Sequence, residues 1–211
     1  MKGVLFDLDG VLVDTEPTYT RIWSDIDQHF PTGVANFAHV IKGSNLESIL
    51  NGYFPKEIHP QVVDLLLAHQ RQMRYDLFPG AVEVLTTLRK KGIPCALVTS
   101  SDQGKMDSFY QQHPDFADFF HTVVTGDMVT HAKPHPECFL LGASRLGLAP
   151  QDCYVVEDSI NGLKAAHAAG VTVIALATTL TREAIAPYAD IIADDISHLA
   201  RLGLSEFTPI D

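Results

Sequence analysis

The stretch Val4-Leu5-Phe6-Asp7-Leu8-Asp9-Gly10-Val11 decides how the chain is read. Three apolar residues in a row suit a short strand buried on both faces, and the acids begin where that run ends. The same unit recurs along the chain. Residues 94–98 run into Thr99, 122–124 into Thr125-Gly126, and 153–156 into Glu157-Asp158; apolar runs at 172–175 and 191–192 follow. Helical patterns separate them: 81–91 stops at Gly92, 136–146 at Gly147, and 159–169 at Gly170. Glycine just past a helix end is the usual stop signal. The alternation predicts an α/β fold, a doubly wound Rossmann-like parallel sheet.

One segment breaks the alternation. Between Asp14-Thr15-Glu16-Pro17 and Phe78-Pro79-Gly80 the periodicity is helical, around residues 19–28, 46–53 and 61–75, with no parallel strand between. It reads as a helical bundle inserted into the core, a cap over residues 15–78. The core is then 1–14 plus 79–211, and its two nearby crossings form a natural hinge. Trp23, with Ile22 and Ile26, reads as interior of that bundle.

Composition narrows the function. The 211 residues carry 26 Asp plus Glu against 15 Lys plus Arg, a formal charge of −11, with 46% hydrophobic and 19% charged residues. That is a globular chain. It lacks the basic face of a nucleic-acid binder and the charge to dock on an anionic membrane. No apolar run approaches the roughly 18 residues of a membrane span, and the opening residues do not have a signal-peptide pattern. Three widely spaced cysteines, Cys95, Cys138 and Cys153, read as reduced thiols in a cytoplasmic protein, expected to be a monomer. The ten histidines are expected to be mostly surface or loop residues.

In a doubly wound sheet, ligands bind at the carboxyl ends of the strands. The polar residues there are Asp7 and Asp9, Thr99 and Ser100, Lys133, and Glu157 with Asp158. Carboxylates, hydroxyls and one ammonium together suit a divalent metal and a phosphoryl group. Thr99 to Asp102 also reads as the cap of the next helix, which is compatible with phosphate binding at that helix start. Two carboxylates two residues apart divide naturally. One can attack phosphorus, and the other can protonate the leaving oxygen and then activate water. Gly10 allows the tight turn that places them.

These residues resemble the four motifs of the haloacid dehalogenase-like superfamily. Asp7-x-Asp9-Gly10-Val11 is similar to the first and Thr99 to the second. Lys133-Pro134-His135-Pro136 is similar to the third, and Glu157-Asp158-Ser159 with Gly162 to the fourth. The helical segment falls where such proteins carry a cap that selects substrate. The resemblance implies that Asp7 is the nucleophile, forming an aspartyl-phosphate, and a Mg²⁺ ligand. It implies that Asp9 is the general acid/base and binds metal through its backbone carbonyl. Thr99, Ser100 and Lys133 would hold phosphate; Asp158 would bind metal, with Glu157 as ligand or as its partner. By analogy, Lys42, Gly43 and Asn45 form a substrate loop in the cap.

The implied activity is Mg²⁺-dependent hydrolysis of a small phosphomonoester, a sugar or polyol phosphate. The alternative is a phosphomutase similar to β-phosphoglucomutase. Two departures disfavour it: Tyr19 stands where the mutase has a cap histidine, and Leu46 stands near its distal-phosphate arginine, with Arg71 and Arg74 as conceivable substitutes. A receiver-like signalling domain fits less well, because strand one ends in Asp-x-Asp and a helical segment follows it. A catalytically dead binding protein would be expected to lose the nucleophile.

Overall fold

A computed structural model describes residues 2–42 and 44–201. Strands β1 (Gly3–Phe6), β2 (Cys95–Val98), β3 (Thr122–Val124), β4 (Cys153–Glu157), β5 (Thr172–Leu176) and β6 (Ile191–Ala193) form one sheet, ordered β3-β2-β1-β4-β5-β6. Every neighbouring pair is parallel. The order reverses between β1 and β4, where Phe6 registers with Val156. That switch point is where a crevice opens in this class of fold.

Each strand sends alternate residues to opposite faces. Val4, Phe6, Leu97, Val156 and Ile174 enter one core, while Leu5, Ala96, Val98, Val155 and Val173 enter the other. The expected helices form. Helices α1 (Glu16–His29), α2 (Phe37–Val40), α3 (Leu46–Tyr53) and α4 (His59–Gln70) lie between β1 and α5 (Ala81–Lys90). Then come α6 (Gln103–Gln112), α7 (Glu137–Arg145), α8 (Ile160–Ala169), α9 (Arg182–Ile185) and α10 (Ile196–Arg201). Gly170 ends α8 in the left-handed region at φ 75°.

Two details differ from the sequence reading. The helical pattern expected over 61–75 starts at His59 and stops at Gln70. Beyond it the chain returns to the core, because Val13 pairs antiparallel with Leu77. Asp14 N–H donates to the Asp76 carbonyl at 2.8 Å, and Phe78 N–H to the Leu12 carbonyl at 2.9 Å. Backbone pairing thus ties the two crossings of the inserted segment together. The short helix α2 was not expected. It centres on buried Phe37, whose ring meets Trp23, Tyr53 and Phe54 at centroid distances of 6.0, 5.2 and 5.7 Å. Edge-on aromatic packing of this kind adds to the area it buries.

Candidate active site

The strand-end residues converge at the β1–β4 switch point. Lys133 Nζ donates to Asp7 Oδ1 at 3.0 Å and to Glu157 Oε1 at 2.7 Å, and lies 3.5 Å from the Val98 carbonyl. All three charged side chains are buried. A buried ammonium is tolerable only when paired this closely. Burial alone would lower the Lys133 pKa, but Asp7 and Glu157 more than offset that and hold it above the ordinary lysine value.

Glu157 is engaged on both oxygens. Its Oε2 accepts from Asp158 N–H at 2.7 Å, Ser159 N–H at 2.7 Å and the Ser159 hydroxyl at 3.0 Å. A Cβ at Gly162 would collide with this carboxylate, which explains a glycine inside α8. Glycine is likewise required at Gly10. Its φ is 74°, and a Cβ there would strike the Asp158 carboxylate.

Asp7, Glu157 and Asp158 offer oxygens that all lie within 4.8 Å of one another. Burial pushes the Asp7 carboxyl up to about 7; Lys133 counters this, and Glu157 and Asp9 add to it. Burial also raises Asp158 well above the usual carboxylate value, reinforced by Glu157, Glu16 and Asp7. Lys133 pairs with only two of these three buried acids, Asp7 and Glu157, and carboxylate oxygens so arranged suit a hard divalent cation.

Asp9 stands apart from that trio. Its Oδ2 accepts from Lys105 Nζ at 2.6 Å and from the Ser101 hydroxyl at 3.1 Å; its Oδ1 accepts from the Thr15 hydroxyl. Burial would raise the Asp9 carboxyl, but the Lys105 ammonium and these hydrogen bonds hold it below the usual range. Thr99 is buried at the end of β2, and its Oγ1 accepts from Ser101 N–H at 3.1 Å. Asp102 caps α6 by accepting from Lys105 N–H at 2.8 Å.

A cavity of about 530 Å³ opens above these groups. The sheet side contributes Asp7, Asp9, Ser100, Lys105 and Asp158; the inserted helices contribute Tyr19, Trp23, Ile49, Leu66 and Gln70. Lys42 and Asn45 line it too, but both are engaged. Lys42 Nζ pairs with Glu16 Oε2 at 2.6 Å, and Asn45 caps α3 by accepting from Ser48 N–H at 2.8 Å. Gly43 lies outside the described residues. Trp23 is therefore both interior of the helical segment and cavity wall. No arginine lines the cavity among the described residues. Arg74, a conceivable distal-phosphate group, instead pairs with Asp76 at the exposed surface.

The strand-end reading missed Lys105, Thr15 and Ser101. It collected residues where strands stop, and Lys105 sits in the first turn of the helix beyond. Its signal was the capping pattern, Asp102 followed three residues later by Lys105. The histidines hold one surprise. His131 and His135, four residues apart, gather with Glu137 within 4.8 Å at the surface. Glu137 there accepts from Thr130 N–H and His131 N–H at 2.8 and 3.0 Å, and so closes its own loop.

Comparison with known proteins agrees with this geometry. Residues 1–170 match the family model for haloacid dehalogenase-like hydrolases. Hexitol phosphatase A of Escherichia coli (strain K12) is 37% identical over 187 residues, spanning 83% of this chain and 82% of that protein. The phosphorylated carbohydrates phosphatase of Thermotoga maritima is 30% identical over 179 residues, 81% of this chain and 82% of that one. A β-phosphoglucomutase structure from Clostridium difficile shares the fold with a TM-score of 0.80. It is 21% identical and aligns over 98% of this chain and 96% of its own.

Proposed function

The chain belongs to the haloacid dehalogenase-like hydrolases, and from that premise we propose that it releases phosphate from a small sugar or polyol phosphate. The observation that carries this reading is the buried set Asp7, Lys133, Glu157 and Asp158 at the floor of the cavity. Residues 15–78 act as a cap over a core made of the rest, and the protein works in the cytoplasm as a monomer.

Asp7 and Asp158, with Glu157 and the Asp9 carbonyl, would hold Mg²⁺, which would supply the positive charge that lets two anions meet. The chain's residues perform the transfer. An Asp7 carboxylate oxygen attacks phosphorus, a new P–O bond to Asp7 forms, and the ester P–O bond breaks. Asp9 gives its proton to the departing oxygen. Before substrate enters, Lys105 keeps Asp9 ionised; the incoming phosphate, a like charge beside it, favours the protonated form. In the second half Asp9 takes a proton from water, the oxygen of that water attacks phosphorus, and phosphate leaves Asp7 as a free carboxylate. Thr99, Ser100 and Lys133 hold the phosphoryl oxygens. Lys42, Gly43 and Asn45 belong to the loop that receives the alcohol.

Hydrolysis is favoured over mutase chemistry by the charges in the cavity. A mutase must hold a second phosphate, and both lysines that line this cavity are neutralised, Lys42 by Glu16 and Lys105 by Asp9. The test is phosphate release from a panel of phosphomonoesters with Mg²⁺. Sugar and polyol phosphates should be hydrolysed, activity should vanish on chelation, and D7N should show no measurable turnover. Full activity in D7N, or conversion of β-glucose 1-phosphate to its isomer without phosphate release, would overturn the reading.

A further inference from the structure

Lys105 is a buried cation outside the strand-end set, and two parts of the molecule share it. Its Nζ lies 2.6 Å from Asp9 Oδ2 on the core side. The same Nζ sits 4.3 Å from the centroid of the Tyr19 ring, which belongs to α1 of the inserted helices. Tyr19 is in turn held by α4, where Gln70 Nε2 donates to its hydroxyl at 3.1 Å. The base of Lys105 is fixed by the Asp102 cap. An ammonium removed from water needs both a counter-charge and donors' partners around it. Asp9 supplies the charge, and the face of an aromatic ring supplies further attraction for a cation. Withdrawing the inserted helices would strip Lys105 of the ring and admit water to its pair with Asp9.

We propose that Lys105 is a positioning residue that orients the Asp9 carboxylate for proton transfer and makes that orientation depend on Tyr19 of the inserted helices. The inference rests on the reading of Asp9 as the group that protonates the departing oxygen. Asp9 is anchored by Thr15 through one oxygen and by Lys105 and Ser101 through the other. Of these three donors, Lys105 alone carries charge, and it meets the Tyr19 ring. Without it, two hydroxyls would hold a carboxylate facing an open cavity.

The experiment compares leaving groups. With Mg²⁺ present, kcat/KM is measured for p-nitrophenyl phosphate, phenyl phosphate and sorbitol 6-phosphate, whose departing oxygens need protonation to increasing degrees. In D9A the loss should grow along that series, reaching about 10²-fold or more for the last. K105M should reproduce the trend, with p-nitrophenyl phosphate within about threefold of wild type and sorbitol 6-phosphate down by about 10²-fold, the low end of general acid–base effects. K105R, which keeps a cation, should recover most of the loss. Y19L should shift the series in the same direction by less. Thermal unfolding of each variant accompanies the kinetics, and Y19L reports on the link if K105M fails to fold. An equal loss on all three substrates in K105M and Y19L, or no loss in either, overturns the proposal. A flat series in D9A overturns instead the underlying reading of Asp9, so the two failures are separable.

Discussion

The floor of the cavity and its roof are built on opposite principles. The floor, at the ends of β1 and β4, crowds Asp7, Glu157 and Asp158 together, pairs the first two with Lys133 and buries them all. The roof presents Trp23, Ile49, Leu50 and Leu66 among scattered polar groups, pairs Lys42 with Glu16 and adds one further carboxylate, Glu47. Charge crowded in a buried site is worth far more than charge in water, which suits the floor to the phosphoryl transfer proposed for it. Apolar walls with scattered polar groups discriminate by shape and hydrogen bonding. Chemistry and selection therefore fall to different regions that meet at the Lys105–Tyr19 contact, and substitutions away from that contact should have different signatures.

The largest effect should come from the middle of the floor. Removing Lys133 leaves Asp7 and Glu157 buried without a counter-ion. K133M should lose about 3–5 kcal/mol of stability in denaturant unfolding, together with phosphate affinity measured by calorimetry. A variant of wild-type stability would mean that the floor tolerates unpaired charge, and the contrast with the roof would collapse.

A second effect concerns pH. The folded-state pKa of Asp7 is raised to about 7, and Asp158 is raised as well. A carboxyl whose pKa is higher folded than unfolded binds protons more tightly in the native state. Its contribution to stability is therefore greatest at low pH and declines as pH climbs from the ordinary carboxylate value through about 7. The lowered pKa of Asp9 works the other way, at pH values below the ordinary carboxylate range. Without divalent cation, these two floor acids should thus cost stability between pH 5 and 8, and Mg²⁺ should restore it. The rise in Tm on adding Mg²⁺ should be larger at pH 8 than at pH 5; an equal or reversed difference would count against a cation at this cluster.

The smallest effect belongs to the seam between floor and roof. Asn161 of α8 donates from Nδ2 to the Lys42 carbonyl at 3.3 Å and to the Ser44 hydroxyl at 3.4 Å. Two such neutral bonds are worth about 1 kcal/mol each at most. N161A should raise KM for sorbitol 6-phosphate a few-fold while leaving kcat near wild type, because the floor is untouched. A drop in kcat equal to that of a floor variant would show that the regions are not separable.

Much of this is legible in the sequence. Strand and helix signals are local, so the order of elements followed from apolar runs and glycine stops. The residues at strand ends followed from the fold class. Asp7, Lys133, Glu157 and Asp158 do meet, although 126 positions separate Lys133 from Asp7, because parallel strands in register bring their carboxyl ends to one edge. The helical insertion was legible in outline, yet α2 was not, since its cause is the burial of Phe37 among rings from three other segments.

By itself, then, the sequence determined the α/β alternation, the inserted helices and the roster of acids at the sheet edge, since periodicity and turn chemistry act over a few residues. Only the tertiary structure decided which charge answers which. It gave Lys105 to Asp9 across 96 positions, Lys42 to Glu16 rather than to an open cavity, and both oxygens of Glu157 to its neighbours. Ion pairing depends on distance in space and on exclusion of water, and neither is written in the spacing of residues along a chain.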